Sequence, residues 1–427
     1  MANPKHPPIE CTLLSTQVSE WASQIEALYQ RLGGARNPTL FPPHFLLAVL
    51  PRIGGQVVTF SQAGERVGVG FLLPRLSLAS NPPHPLAYTL RYHHLMEEPV
   101  VEPDQLVQVL THALSGAEIY FYDPQANHSF QPTAEAWGDF TIGRPGAAEA
   151  DTIRILQQRV WGSPPEFLYP SDIHSVDFAL GTSLVARLAG QPVGFLLGFY
   201  KLGGYPLPAD WHSRFAGGLR LESQTLGVLP AYRGASIGFL LKQAQAKQAL
   251  AEGIQIINWT VDPLQWPNAQ LNFGRLRALA FDFTPDYYPF RNELNRVAAS
   301  RFGLTWLVGT ERVKAGGEGR VESGERYEHI LDLREPGRIV RVNWRWSECN
   351  WQAIAQQIAI EIPANWTAMQ HDDLEAALRW RTVTDQLFAH YIGRQSGQYI
   401  VTDVGRAGEQ RFLVATRVSD ALWEQLS

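Results

Sequence analysis

The sequence is 427 residues long, 45% hydrophobic and 18% charged, with a net charge of −5 and two cysteines, Cys11 and Cys349. Such a length exceeds one average domain, and such a composition excludes a disordered chain and supplies ample core. There is no dense Lys/Arg run, no membrane-spanning apolar run, no signal-peptide core in Met1 to Glu20 and no disulfide framework, so a cytoplasmic protein without nucleic-acid or membrane partners is expected.

Residues 1–10 are Pro-rich and read as a loose end. Ser15 to Leu32 carries Val18, Trp21, Ile25, Leu28 and Tyr29 at helical spacing, with Gly33-Gly34 as the stop. Gln56–Phe60 and Arg66–Leu73 read as a hairpin around Gly64; Ser183–Leu188 and Pro192–Phe199 read as another around Gly190. Both carry G-x-x-V-G, at Gly64 to Gly68 and Gly190 to Gly194. A second match pairs HALSGAEIYFYDPQAN (112–127) with QALAEGIQIINWTVDPLQWPN (248–268): helix end, glycine, apolar strand, Asp-Pro, Asn. Two tandem units of one fold explain both matches.

The two copies differ in length. From Gly64 to Asp123 is 59 positions, from Gly190 to Asp262 is 72, and the shortfall falls between hairpin and helix. No glycine stands between Phe71 and Ser115, while Glu97, Glu98, Glu102 and Asp104 cluster there, where they would repel an anion. His93-His94 with Glu97 has metal-ligand spacing for a helix, yet YTLRYHHL reads as a strand, and no metal site is read. Asn127 to Gly146 reads as a linker, and Ala150 to Trp161 as the first helix of the second copy.

The most informative stretch runs from Gly218 to Phe273. Leu219–Val228 has a strand pattern that slips once in the middle, and Pro230 ends it. Arg233-Gly234-Ala235-Ser236-Ile237-Gly238 follows, then Phe239, Leu240, Leu241, Ala244, Ala246 and Leu250 at the spacing of an amphipathic helix closed by Gly253. A turn of small residues opening a helix leaves N–H groups without intrahelical partners beside the positive end of the dipole, which suits phosphate oxygens. Ile254–Val261 reads as a buried strand, and an Asp-Pro turn leads to a helix headed by Asn268. After a turn-rich segment, Val313 to Arg326, the tail reads as strands at Ile339–Trp344 and Ile358–Ile362, a helix at Asp372–Tyr391 and a hairpin at Gln398–Thr416.

This stretch resembles the acetyl-CoA-binding core of the GNAT acyltransferase superfamily, whose pyrophosphate loop reads Q/R-x-x-G-x-G/A. Arg233 and Gly238 fit its first and last positions, and Ser236 stands where the first glycine is expected. WTVDPLQWPNAQLNF followed by YYPFRNELNR is similar to an uncharacterised GNAT-related family with W-T-x-D-P-L…N-A…N. The resemblance implies an α/β fold of two tandem GNAT-like mixed-sheet units: a degenerate one at 1–126, a linker at 127–146, an acyltransferase domain at 147–313, and a C-terminal α+β extension at 314–427. It implies acetyl-CoA, or another acyl-CoA, with the pyrophosphate on Arg233, Gly234, Ala235, Ser236, Ile237 and Gly238. The pantetheine arm would lie along Leu226, Gly227 and Val228, with Asn268, Asn272 and Phe273 beside it.

Transfer to an amine also needs a base and an acid. Glu222, 11 positions before Arg233, stands where several GNAT enzymes place a strand glutamate as base; its ordinary alternative is a salt-bridged glutamate. Phe273 holds the place of the family's tyrosine acid, leaving Tyr288 or Tyr287 as the acid, or packing. The acceptor is an amine, on a small molecule or a peptide. No Cys or Ser nucleophile accompanies the loop, so transfer is expected to be direct. Two other readings stay open: a non-catalytic acyl-CoA sensor, and a structural pseudo-enzyme.

Overall fold

The computed structural model describes residues 7–78, 87–95, 101–204, 207, 211, 218–288, 295–317, 329–334 and 337–426. The chain divides into two compact units, Met1–Gly204 with Ala216–Ile254, and Tyr205–Phe215 with Gln255–Ser427. The divide at residue 254 falls inside the stretch 147–313.

The first unit opens with β1 (Ile9–Leu13), α1 (Trp21–Arg31) and a π-helical turn, Phe45–Val49, that runs into the short α2 (Leu50–Arg52). Next come β2 (Gln56–Gln62), β3 (Glu65–Arg75), β4 (Ala87–His94), α3 (Pro103–Ala113) and β5 (Glu118–Tyr122), which make a five-stranded sheet in chain order. Then follow β6 (Glu135–Trp137), β7 (Phe140–Gly143), α4 (Ala147–Trp161), β8 (Thr182–Leu188), β9 (Gln191–Leu202), β10 (Leu219–Val228) and α5 (Ile237–Ala251). Strands β6 to β10 pair antiparallel, each with the next.

The two expected hairpins agree in detail. Each turns through an Ala-Gly pair with positive φ at both residues, 52° and 81° at Ala63-Gly64 and 48° and 78° at Ala189-Gly190. This is the turn whose twist matches that of a hairpin's strands. Each then skips one residue of the ladder, Val67 in β3 and Val193 in β9. The shared G-x-x-V-G therefore encodes a turn and a bulge at one spacing.

One core binds the unit together. Phe41, Phe45, Leu50, Val57 and Phe71 pack in the same buried cluster as Tyr169, Ile173, Phe178, Leu197 and Phe199. Arg91, fully buried on β4, donates to the Asp172 carboxylate and to the Thr39 carbonyl. The 127–146 stretch is not a plain linker: β6 and β7 form a hairpin around Gly138 (φ 62°), and β7 pairs with β8. Its polar strands are too short for alternation to show in the sequence. The first helix begins at Trp21 rather than Ser15.

The second unit contains β11 (Ile256–Val261), α6 (Trp266–Ala269) with a π-helical turn at Gln270–Arg275, β12 (Leu279–Tyr288), β13 (Ala299–Leu307) and α7 (Glu311–Gly317). The tail adds β14 (Ile330–Asp332), β15 (Ile339–Arg341), β16 (Asn343–Trp344), β17 (Glu348–Cys349), β18 (Gln357–Ile362), α8 (Trp366–Asp372), α9 (Leu374–Tyr391), β19 (Tyr399–Ala407), β20 (Gln410–Arg417) and α10 (Asp420–Leu426). Within this unit the strands run β15-β18-β20-β19-β12-β13-β11, so the tail continues the sheet that β11 to β13 begin. Among the described residues, no helix is long and apolar enough to cross a membrane.

Asp262, read from the sequence as a turn residue, has a larger task. Its Oδ1 accepts from the Leu264 N–H, while Oδ2 accepts from Arg381 at 2.7 Å and from the Trp366 indole at 3.1 Å. All three side chains are buried. Asp262→Ala is expected to cost about 3–5 kcal/mol, because it takes the carboxylate from a buried ion pair with Arg381; urea unfolding at neutral pH measures it.

Candidate anion-binding turn and its buried charge cluster

β10 pairs with β9 from Leu219↔Leu202 to Val228↔Gly194, and the ladder skips Gln224. The slip legible in the sequence is this bulge. Beyond it Gly227 lies against β9 so closely that a Cβ there would stand 2.5 Å from the Phe195 ring. Glycine is needed at that position for contact, not for a turn.

After Val228 the chain makes a 3-10 turn at Pro230–Tyr232, closed by Arg233 N–H donating to the Pro230 carbonyl at 3.2 Å. Gly234 then takes φ 85° and Ser236 φ 63°, and α5 starts at Ile237. Arg233, Gly234 and Ala235 are exposed, Ser236 and Gly238 half-buried. Ile237 and Gly238 occupy the first two helical positions, whose N–H groups have no acceptor inside the helix. The Arg233 guanidinium bonds back to the Val228 carbonyl at 3.4 Å, placing a positive charge at the same turn. An accessible bend with left-handed residues, helix-opening amides and an arginine suits an anion.

Ser236 takes a left-handed conformation that usually falls to glycine. A left-handed conformation costs a non-glycine residue ~1–2 kcal/mol. Ser236→Gly is therefore expected to raise stability by up to about 1 kcal/mol, after the added chain entropy of glycine is subtracted. A higher urea midpoint with an unchanged slope is the predicted result.

Glu222, on the strand that leads to this turn, is buried, 2% exposed. Lys201 Nζ lies 2.8 Å from one carboxylate oxygen and Arg52 Nη2 lies 2.9 Å from the other. Burial alone would push its carboxyl up, but Arg52 and Lys201 outweigh burial and hold it below the usual range. Next to it Lys242, on α5, donates to Ser223 Oγ at 2.8 Å. Burial lowers the Lys242 ammonium well below its ordinary value, and burial likewise lowers Lys201, with Glu222 opposing. α5 is not amphipathic in the expected way: Ile237, Phe239, Leu240, Leu241, Lys242, Ala244, Gln245, Ala246 and Ala249 are all buried, on most of its circumference.

Leu226 and Val228 are half-buried and Gly227 buried, continuous with the turn. The other expected residues lie in the second unit. Asn268 is exposed at the third position of α6, which Gln265 precedes as cap, so Asn268 does not head that helix. Asn272 and Phe273 are 3% and 1% exposed in the π-helical turn. Tyr288 is half-buried, its ring 4.9 Å from the Arg301 guanidinium and 4.8 Å from the Tyr287 ring. Glu97 and Glu98 lie outside the described residues. Glu102 stands at the N-cap position of α3, with no capping bond from its side chain, and Asp104 sits in the first turn, so that helix start carries its own carboxylates.

The cations around Glu222 escaped the sequence reading: Arg52, Lys201 and Lys242. Lys242 left a signal, a charged residue inside an apolar helical run. Arg52 left none, because it meets β10 from far along the chain.

No family model matches the chain, and no curated protein matches it. Solved structures similar to parts of it are acetyltransferases. One is Arabidopsis thaliana Naa50 in complex with the bisubstrate analogue CoA-Ac-MVNAL, at 15% identity over 39% of this chain and 97% of that one, TM-score 0.30. Another is an acetyltransferase of the GNAT family from Streptococcus pneumoniae, at 13% identity over 40% of this chain and 99% of that one, TM-score 0.30. A third is the diaminobutyrate acetyltransferase EctA from Paenibacillus lautus with L-2,4-diaminobutyric acid and coenzyme A, at 15% identity, 42% and 99% coverage and TM-score 0.30.

Proposed function

We propose that the chain is an acyl-CoA-dependent N-acyltransferase of GNAT type, with acetyl-CoA the expected donor. The observation that carries this reading is the open turn from Arg233 to Gly238, set after a bulged strand and before α5. The diphosphate of the cofactor binds there, and the pantetheine arm runs back along Val228, Gly227 and Leu226. In this reading 1–126 is a degenerate copy, 127–146 joins it to the acyltransferase domain at 147–313, and 314–427 is an extension. The degenerate copy is the one whose corresponding helix start carries Glu102 and Asp104.

Chemistry follows by direct transfer. The amine nitrogen forms a bond to the acyl carbon and gives up its proton to solvent, the carbon–sulfur bond breaks, and the thiolate takes a proton from solvent. Glu222 works here as a fixed charge rather than as the proton acceptor that the resemblance assigns it, since two cations hold it ionised. The acceptor is a small-molecule or peptide amine.

Titration calorimetry with acetyl-CoA, followed by coenzyme A release over a panel of amines, tests the reading. Saturable binding with amine-dependent release is the expected result. Binding without release supports the sensor reading, and an absence of binding supports the structural one.

A further inference from the structure

Arg52 ends α2, an arm anchored by the buried Phe45, Leu46, Val49 and Leu50. Its Nη2 lies 2.9 Å from Glu222 Oε1 and 3.3 Å from Gln224 Oε1. Gln224 is the residue that the β9 ladder skips, and Glu222 is fixed from its other oxygen by Lys201 at 2.8 Å. One guanidinium nitrogen thus ties the bulged residue to a buried carboxylate that cannot move.

The place of a bulge decides what the strand beyond it presents. Shifting the register by one residue exchanges the two edges and the two faces for every residue that follows. Leu226, Gly227 and Val228 follow this bulge directly. We infer that Arg52 is a positioning residue for the acyl-CoA site: by clamping Gln224 to Glu222 it fixes the register in which Leu226–Val228 meets the pantetheine arm. The inference rests on the acyl-CoA reading above. It gives the amino-terminal half of the unit a task, since that half contributes the clamp though it supplies none of the phosphate turn.

The diphosphate turn starts beyond the clamp's reach in sequence and keeps its own hydrogen bonds, from Tyr232 to Leu229 and from Arg233 to Pro230. Loss of the clamp therefore separates arm from head. The test is calorimetry on the full chain with two probes, acetyl-CoA and 3′-phospho-ADP, which is the nucleotide head without the arm. Arg52→Met is expected to weaken acetyl-CoA binding about tenfold, the scale of one or two lost polar contacts, while leaving 3′-phospho-ADP within twofold. Arg52→Lys keeps a charge opposite Glu222, but its ammonium stops short of the guanidinium's outer nitrogen. It guards against unfolding of the first variant and is expected to show the same split. Equal loss for both probes, or loss for neither, overturns the inference and leaves the acyl-CoA reading standing. A wild-type protein that binds neither probe overturns both.

Discussion

Replacing Gly238 by Asp is expected to abolish useful acyl-CoA binding while leaving the protein at least as stable. Gly238 is the second residue of α5. There a glycine costs the helix a few tenths of a kcal/mol more than Asp, and a carboxylate in the first turn is favourable by ~0.3–1 kcal/mol. Both effects raise the melting temperature or leave it unchanged. The same carboxylate would stand where the diphosphate is to lie. Two unit charges about 4 Å apart repel by ~1 kcal/mol in bulk water and ~4 kcal/mol near a protein surface. One to three decades in Kd follow. Calorimetry with acetyl-CoA and a thermal scan read the two halves of the prediction separately. Wild-type affinity in the variant would remove the phosphate from this turn. The start of α3 carries carboxylates in this way, with Glu102 at its N-cap position and Asp104 in its first turn.

Glu222→Gln is the second large effect, and its principal expression is in stability. The substitution removes the buried carboxylate charge that Arg52 and Lys201 share, and breaking a buried ion pair costs about 3–5 kcal/mol. The pH dependence has a definite sign. Because the folded-state carboxyl lies below its unfolded value, its contribution is complete above the unfolded value of about 4.3 and is lost as pH falls through the folded value. Wild type and variant should therefore differ most at neutral pH and converge on acidification, as urea unfolding across pH will show. Turnover by the folded variant separates two roles. A general base contributes ~10²–10⁴-fold, so a loss of that size would return Glu222 to proton transfer. A loss of tenfold or less fits a fixed charge.

What the sequence made legible was local. The slip in Leu219–Val228 announced the bulge at Gln224, and the run of small residues from Arg233 announced the turn before α5. The repeated G-x-x-V-G announced two hairpins that agree in turn and bulge. Each of these rests on backbone preferences spanning a few residues. The buried charge contacts join distant segments within each unit: Glu222 meets Arg52 and Lys201 in the first, and Asp262 meets Trp366 and Arg381 in the second. A strand glutamate reads the same whether it faces solvent or two cations, so nothing local distinguishes a base from a buried counter-ion. The left-handed Ser236 was likewise out of reach, since serine seldom adopts that conformation.

The most direct measurement is amide NMR of the protein labelled at glycine, with the Gly234 and Gly238 signals assigned by substitution. Adding acetyl-CoA should shift both signals with one saturation curve, and 3′-phospho-ADP should shift them in the same direction. Acetyl-CoA that binds while both signals stay in place, or that does not bind, would contradict the account.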